Sequence, residues 1–147
     1  MRVLEDIYRV QVKFSEIDSM TRAWHGSYVK YFEDGRENFG RHYPGIGYAD
    51  IVRSGIYAPV VDLHVKYYGP LELNDIAVIR TRYVWHPGAR LDFSYEVTRE
   101  RDGLLCAKGT TTQLFIDPQQ QLMTDIPDYY REWQERWGAG KVDKTTD

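Results

Sequence analysis

From Val61 to Ile116 apolar and polar residues alternate with a period of two, broken only at turn-forming pairs, and this constrains the fold more than any other feature. Such alternation sends successive side chains to opposite faces of a strand. Val61, Leu63, Val65 and Tyr67 oppose Asp62, His64 and Lys66; Ala77, Ile79, Tyr83 and Trp85 share a parity; Leu91, Phe93, Tyr95 and Val97 oppose Asp92, Ser94, Glu96 and Thr98; a last long strand runs from Leu104 to Ile116. The separators Gly69-Pro70, His86-Pro87-Gly88, Asp102-Gly103 and Asp117-Pro118 are turn chemistry, Asp102-Gly103 being the clearest hairpin signal. Upstream, Tyr8, Val10, Val12 and Phe14 alternate with Arg9, Gln11 and Lys13 and predict one more strand over 8–14.

Between these strands the period changes. Tyr28, Tyr31, Phe32, Gly35 and Phe39 form one helical stripe, with Lys30, Asp34, Glu37 and Arg41 opposite, paired Lys30/Asp34 and Glu37/Arg41 at i,i+4. Ser27 is the expected N-cap and Tyr43-Pro44-Gly45 the stop. Gly35 costs about 1 kcal/mol relative to alanine in mid-helix, which predicts a close approach by the sheet there. A short helical turn is expected over Tyr48 to Arg53. A last helix has Pro127 in its first turn and Tyr130, Trp133 and Trp137 on one face. The expectation is a single α+β domain over 1–137, one antiparallel sheet around a long central helix with a C-terminal helix outside, and a polar, disordered tail over 138–147. The four longer strands are expected in antiparallel succession. Ile76, Val78 and Val84 are apolar on the wrong parity and point to oligomerisation through the sheet.

Composition narrows the function classes. A length of 147 residues fits one domain, and 42% hydrophobic with 28% charged residues excludes bulk disorder. A net charge of −3 gives no global field for nucleic acid or anionic lipid. Cys106 has no disulfide partner, acids stand where a signal peptide would carry its apolar run, no apolar stretch approaches the ~20 residues of a membrane span, and the mean hydropathy is −0.57. These point to a reduced cytoplasmic protein with neither nucleic-acid nor membrane partner. The 12 tyrosines and 4 tryptophans suit either an extensive interface, a ligand groove or a Tyr-rich core.

Several chemistries are missing their residues. Val52-Arg53-Ser54-Gly55 lacks the first glycine of a nucleophile elbow, Gly45-Ile46-Gly47 is too short for a dinucleotide fingerprint, and Gly138-Ala139-Gly140-Lys141-Val142 lacks the remainder of a P-loop. His25, His42, His64 and His86 are too far apart in sequence for a metal motif, and mid-strand Cys106 suits a packed thiol. What remains is Phe14 to Tyr28, which sets Glu16, Asp18, Trp24 and His25 beside a helix N-terminus whose free N–H groups can stabilise an anion. Asp18, with a reference pKa near 3.9, is available as base or nucleophile, or is a loop cap; His25 is a helper or structural.

Asp18 followed by Trp24-His25-Gly26-Ser27-Tyr28-Val29-Lys30-Tyr31-Phe32-Glu33-Asp34-Gly35-Arg36 resembles the signature of hotdog-fold acyl-CoA thioesterases of the 4-hydroxybenzoyl-CoA thioesterase type. Tyr67-Tyr68-Gly69-Pro70-Leu71-Glu72-Leu73-Asn74-Asp75 is similar to that family's Tyr-x-x-Pro-x-x-x-x-Asp turn, and the resemblance spans roughly residues 5 to 130. It implies that Asp18 attacks the thioester carbonyl or activates water, that the backbone at Ser27 and Tyr28 serves the oxyanion, and that His25 orients water or the thioester. It also implies an acyl groove between two subunits, lined by Trp24, Tyr57 and Pro59 unless these are core. Arg90 and Lys108, with Arg80 and Arg82, are candidates for the coenzyme A phosphates unless they belong to a solvated strand face. The implied partners are an acyl-CoA or acyl carrier protein thioester and a second copy of the chain, as a homodimer or homotetramer, with no metal and no cofactor beyond the coenzyme A of the substrate. The chain departs from the family pattern at Met20, Thr21, Arg22 and Ala23, bulkier than the usual glycines and small residues. An ion pair from Arg22 to Asp18 or Glu16 would keep Asp18 charged but hinder attack. Two alternatives stay open on the residues: a hotdog hydratase or dehydratase, for which His25 would be indispensable, and a non-catalytic acyl-thioester binding module.

Overall fold

The helical stripe and the alternating strands bury each other. In the computed structural model, which describes residues 3–140, the elements run β1 (Glu5–Gln11), a 3-10 turn (Phe14–Glu16), α1 (Ser27–His42), α2 (Tyr48–Arg53), β2 (Val60–Tyr67), β3 (Ile76–Val84), β4 (Arg90–Arg99), β5 (Leu104–Leu114) and α3 (Asp128–Trp137). The five strands form one antiparallel sheet in the order β1-β3-β4-β5-β2, with α1 lying across it, the arrangement of a hotdog fold. No helix among the described residues is long and apolar enough to cross a membrane.

Tyr28, Tyr31, Phe32, Gly35 and Phe39 are buried against Ala77, Ile79, Leu91, Phe93, Tyr95 and Val97, the parities the alternation assigns to the core. Each such side chain taken out of water is worth about 1.5–3 kcal/mol. Phe32 stacks on Tyr95, with centroids 4.4 Å apart. Gly35 marks a close approach of helix and sheet, since a Cβ there would lie 2.5 Å from Thr81 Oγ1 and 2.7 Å from Ile79 Cγ2. α3 closes one end: Tyr130 and Trp133 are buried, and the Trp133 indole donates to Tyr43 O at 2.8 Å.

The sequence expectation fails at four places. Strand β1 ends at Gln11, because the chain turns over Phe14–Glu16 and buries Glu16 while leaving Phe14 78% exposed. Ser27 is the first helical residue and Gly26 the N-cap, the Ser27 hydroxyl donating to Glu16 O at 2.7 Å. The strands are not in simple succession: β2 pairs with β5 at the far edge, and the chain between β2 and β3 crosses the end of the sheet, bonding to Cys106 at one side and Val12 at the other. As an edge strand β2 is exposed everywhere but Val65, so Val61, Leu63 and Tyr67 are not core within one chain. Beyond α3, Gly138 is a left-handed cap and Ala139 is buried, whereas residues 141–147 of the expected tail lie outside the described residues.

Candidate active site

Residues 14–28 form a small loop built on Glu16. An antiparallel bridge joins Ile17 to Ala23, closed by Asp18 N donating to Arg22 O at 2.8 Å and Thr21 N to Asp18 O at 3.0 Å, with Thr21 in the left-handed region at φ 62°. Four residues must reverse the chain here, so one adopts a conformation that costs a non-glycine residue energy. Asp18 offsets that cost: its Oδ1 accepts from Met20 N at 2.8 Å and Arg22 N at 3.4 Å. The carboxylate is exposed, and its Oδ2 has no hydrogen-bond partner among the described residues. Arg22 therefore meets Asp18 through its backbone amide, and no guanidinium of Arg22 bonds Asp18 or Glu16 among the described residues.

Glu16, which the sequence sets beside the helix N-terminus with no role of its own, holds the loop to α1. Its carbonyl accepts from Trp24 N at 2.8 Å and from the Ser27 hydroxyl, and its buried carboxylate accepts from Lys30, from Lys13 N at 2.8 Å and from Tyr31 Oη at 3.1 Å. Burial raises its pKa, but the Lys30 ammonium and the two other donors outweigh that and hold it below the ordinary glutamate value. Lys30 thus turns to Glu16, which helical spacing could not show. Burial pushes the Tyr31 hydroxyl well above the usual phenol range and Tyr28 up to about 12, so both stay protonated donors at neutral pH.

At the start of α1 the Ser27 amide is spent on Trp24 O at 2.8 Å and the Val29 amide on Gly26 O at 3.2 Å, whereas the Tyr28 amide has no acceptor among the described residues. Of the two expected oxyanion donors, Tyr28 is open and Ser27 is occupied. The Trp24 indole lies over Gly26, where any Cβ would overlap it, and tilts against the exposed His25 ring at 4.7 Å. The His25 carbonyl accepts from Tyr67 Oη at 2.7 Å, and the Tyr67 ring meets Tyr28 edge-on. One loop thus carries Asp18 at its turn and leads through Trp24 and His25 into the start of α1, where the Tyr28 amide is open.

The other expected site residues lie elsewhere. A cavity of about 720 Å³ between α1, α2 and the sheet is lined by Tyr57, but not by Trp24, Pro59, Asp18 or His25. Arg90 is clamped on Asp92 by two 2.8 Å hydrogen bonds and donates to Thr112. Lys108 lies 3.7 Å from Glu96 beside Lys66, Arg80 and Arg82, and the latter two hold Glu5. Glu96 faces Lys108 across β4 and β5, six residues beyond Arg90, so the two candidate phosphate ligands stand ~20 Å apart on the outer sheet face and cannot share one phosphate.

Comparison with known proteins gives the same answer at the level of family. The profile of the thioesterase-like superfamily matches residues 12–134. The Acyl-CoA thioester hydrolase YbgC of Escherichia coli is 27% identical over 118 residues, 80% of this chain and 87% of the relative. Among solved structures, the DHNA-CoA thioesterase of Staphylococcus aureus superposes with a TM-score of 0.77 at 26% identity, covering 94% of this chain and 96% of that one. The Thermus thermophilus protein TT1821 superposes with a TM-score of 0.77 at 29% identity, covering 89% and 96%.

Proposed function

This chain belongs to the thioesterase-like superfamily, and from that premise we propose that it hydrolyses acyl-CoA thioesters to the free acid and coenzyme A, with Asp18 as nucleophile or general base. The observation that supports the site assignment is the Glu16-anchored loop, which carries an exposed Asp18 carboxylate with one free oxygen and leads into the helix end where the Tyr28 amide lacks an acceptor. An anion forming on the thioester oxygen would be met there by that amide and the positive end of the α1 dipole. Two routes conserve atoms. Asp18 attacks the carbonyl carbon, expels the coenzyme A thiolate and leaves a mixed anhydride that water cleaves; or Asp18 takes a proton from water as the water attacks, and the thiolate leaves when the tetrahedral intermediate collapses. His25, exposed and flanking the site, is a helper that orients water or the thioester.

The site is open in one chain. We infer that a second copy closes it, pairing along the unpartnered β2 edge, whose exposed Val61, Leu63 and Tyr67 adjoin the Tyr67–His25 hydrogen bond. A homodimer is then the functional unit, and Pro59 at the start of β2 would reach the groove only across that seam.

Release of thiol from a panel of acyl-CoAs tests the reading. Asp18→Asn is expected to lower kcat/KM by at least about a hundredfold with unfolding unchanged; full turnover in that variant removes Asp18 from the mechanism. His25→Ala is expected to cause a modest loss, whereas complete loss together with hydration of a crotonyl thioester by the parent protein would point to a hydratase.

A further inference from the structure

A helix is ordinarily started by a Ser, Thr, Asp or Asn whose side chain accepts from the second or third helical amide. On α1 such a cap would fall on the Tyr28 amide, because the Val29 amide already donates to Gly26 O at 3.2 Å. Gly26 stands at the cap position with no side chain to bond with, and the Trp24 indole fills the space a Cβ would take. The feature that keeps the Tyr28 amide open therefore also leaves the first turn of α1 without its usual anchor. Tyr67, the last residue of β2, supplies one from outside the helix. Its hydroxyl donates to His25 O at 2.7 Å, just before the cap, and its ring meets the Tyr28 ring edge-on at 5.1 Å, just after it. Tyr31 closes on the Tyr28 ring as well, edge-on at 5.7 Å. Burial holds the Tyr67 phenol above its ordinary value, so it is a donor at neutral pH.

We propose that Tyr67 is a positioning residue: its hydroxyl replaces the missing helix cap, holding the peptide between His25 and Gly26 so that the Tyr28 amide stays aimed at the thioester oxygen. The inference rests on the thioesterase reading above and adds how the oxyanion donor of that site is held. The hydroxyl is spent on a backbone carbonyl, so Tyr67 acts on the chemistry only through the geometry of this turn. An oxyanion contact strengthens as charge develops on the oxygen, so loosening its donor slows the chemical step and leaves substrate binding in place. A misplacement of about 1 Å is enough to cost much of such a contact.

Tyr67→Phe tests this, since it removes one oxygen from a side chain that is 46% exposed and keeps the ring against Tyr28. With decanoyl-CoA and benzoyl-CoA as substrates, kcat is expected to fall about tenfold while KM stays within about twofold of the parent value. The mass by light scattering should equal that of the parent, because the backbone edge of β2 is untouched. This split separates positioning from a contact with substrate, which would raise KM, and from a role in chain pairing, which would lower the mass. Unchanged kcat, a raised KM with kcat kept, or a lower mass overturns the proposal while leaving hydrolysis intact. Absence of turnover by the parent protein across the acyl-CoA panel removes the hydrolase reading instead, and amide exchange then decides whether Tyr67 braces the turn. The Ser27 and Val29 amides, bonded to Trp24 O and Gly26 O, are expected to exchange roughly fivefold faster in Tyr67→Phe. Equal exchange rates in the two proteins overturn it.

Discussion

A carboxylate on this loop does one of two jobs, and burial decides which. Glu16 is enclosed and bonded on every side, so its work is structural; Asp18, two residues on, is exposed and keeps an oxygen free. Glu16→Gln leaves the Lys30 ammonium without its counter-charge and is expected to cost about 1–3 kcal/mol in urea unfolding at neutral pH. Because the folded-state pKa of Glu16 is held below its ordinary 4.5, its contribution is complete above that value and is lost as pH falls through the lower folded value. The stability gap between wild type and Glu16→Gln should therefore narrow as pH is taken below 4.5 and through the lower folded value. An undiminished gap there would mean the cost is one of packing. Sequence singled out Asp18 from its neighbours, but gave Glu16 no distinction, since its partners Lys30 and Tyr31 come from a helix whose rotation about its axis periodicity does not set to that precision.

Two glycines show which element-scale features are legible. Gly35 interrupts an apolar stripe, and that interruption alone implies a close contact; the contact proves to be Thr81 and Ile79 of β3. Gly35→Ala gains about 1 kcal/mol of helix propensity but drives a methyl group into Thr81 Oγ1, an overpacking cost of about 1–3 kcal/mol, so a lower Tm is expected. Thr81→Ala removes the obstructing oxygen, itself buried without a partner, and should restore part of the loss in the double variant, a coupling that independent sites would not give. Gly103 is the opposite case: at φ 73° in the β4–β5 turn, with nothing within 4 Å of its position, it is constrained by backbone alone. Gly103→Ala is expected to cost about 1 kcal/mol with catalysis unchanged. The Asp102-Gly103 turn, α2 and the stripe of α1 were legible because each is encoded within a few residues. The β1 boundary was not, because the alternation continues through Phe14 after the backbone has turned away, and only the burial of Glu16 in the folded chain marks the end.

At the scale of the molecule the sheet order was the illegible part. Alternation says that Val61, Leu63 and Tyr67 share a face; it does not say what covers that face. Folding the chain carries β2 past β3 to the outer side of β5, and the apolar residues that read as core are left at an edge, with unpaired backbone groups along it. An edge with exposed Val61 and Leu63 and no proline is one that chains usually protect or pair. Pairing it with a second copy would continue the sheet across the two-fold axis and set the Tyr67–His25 contact of each protomer beside the seam. Light scattering should then report a particle of at least twice the 17.3 kDa chain mass. Leu63→Lys, which puts a charge on the edge without touching Asp18, should shift it to the mass of one chain and lower thioester hydrolysis with it. A monomeric wild type with full activity, or a Leu63→Lys monomer as active as the parent, would mean that one chain carries a complete site and that the exposed edge serves another purpose.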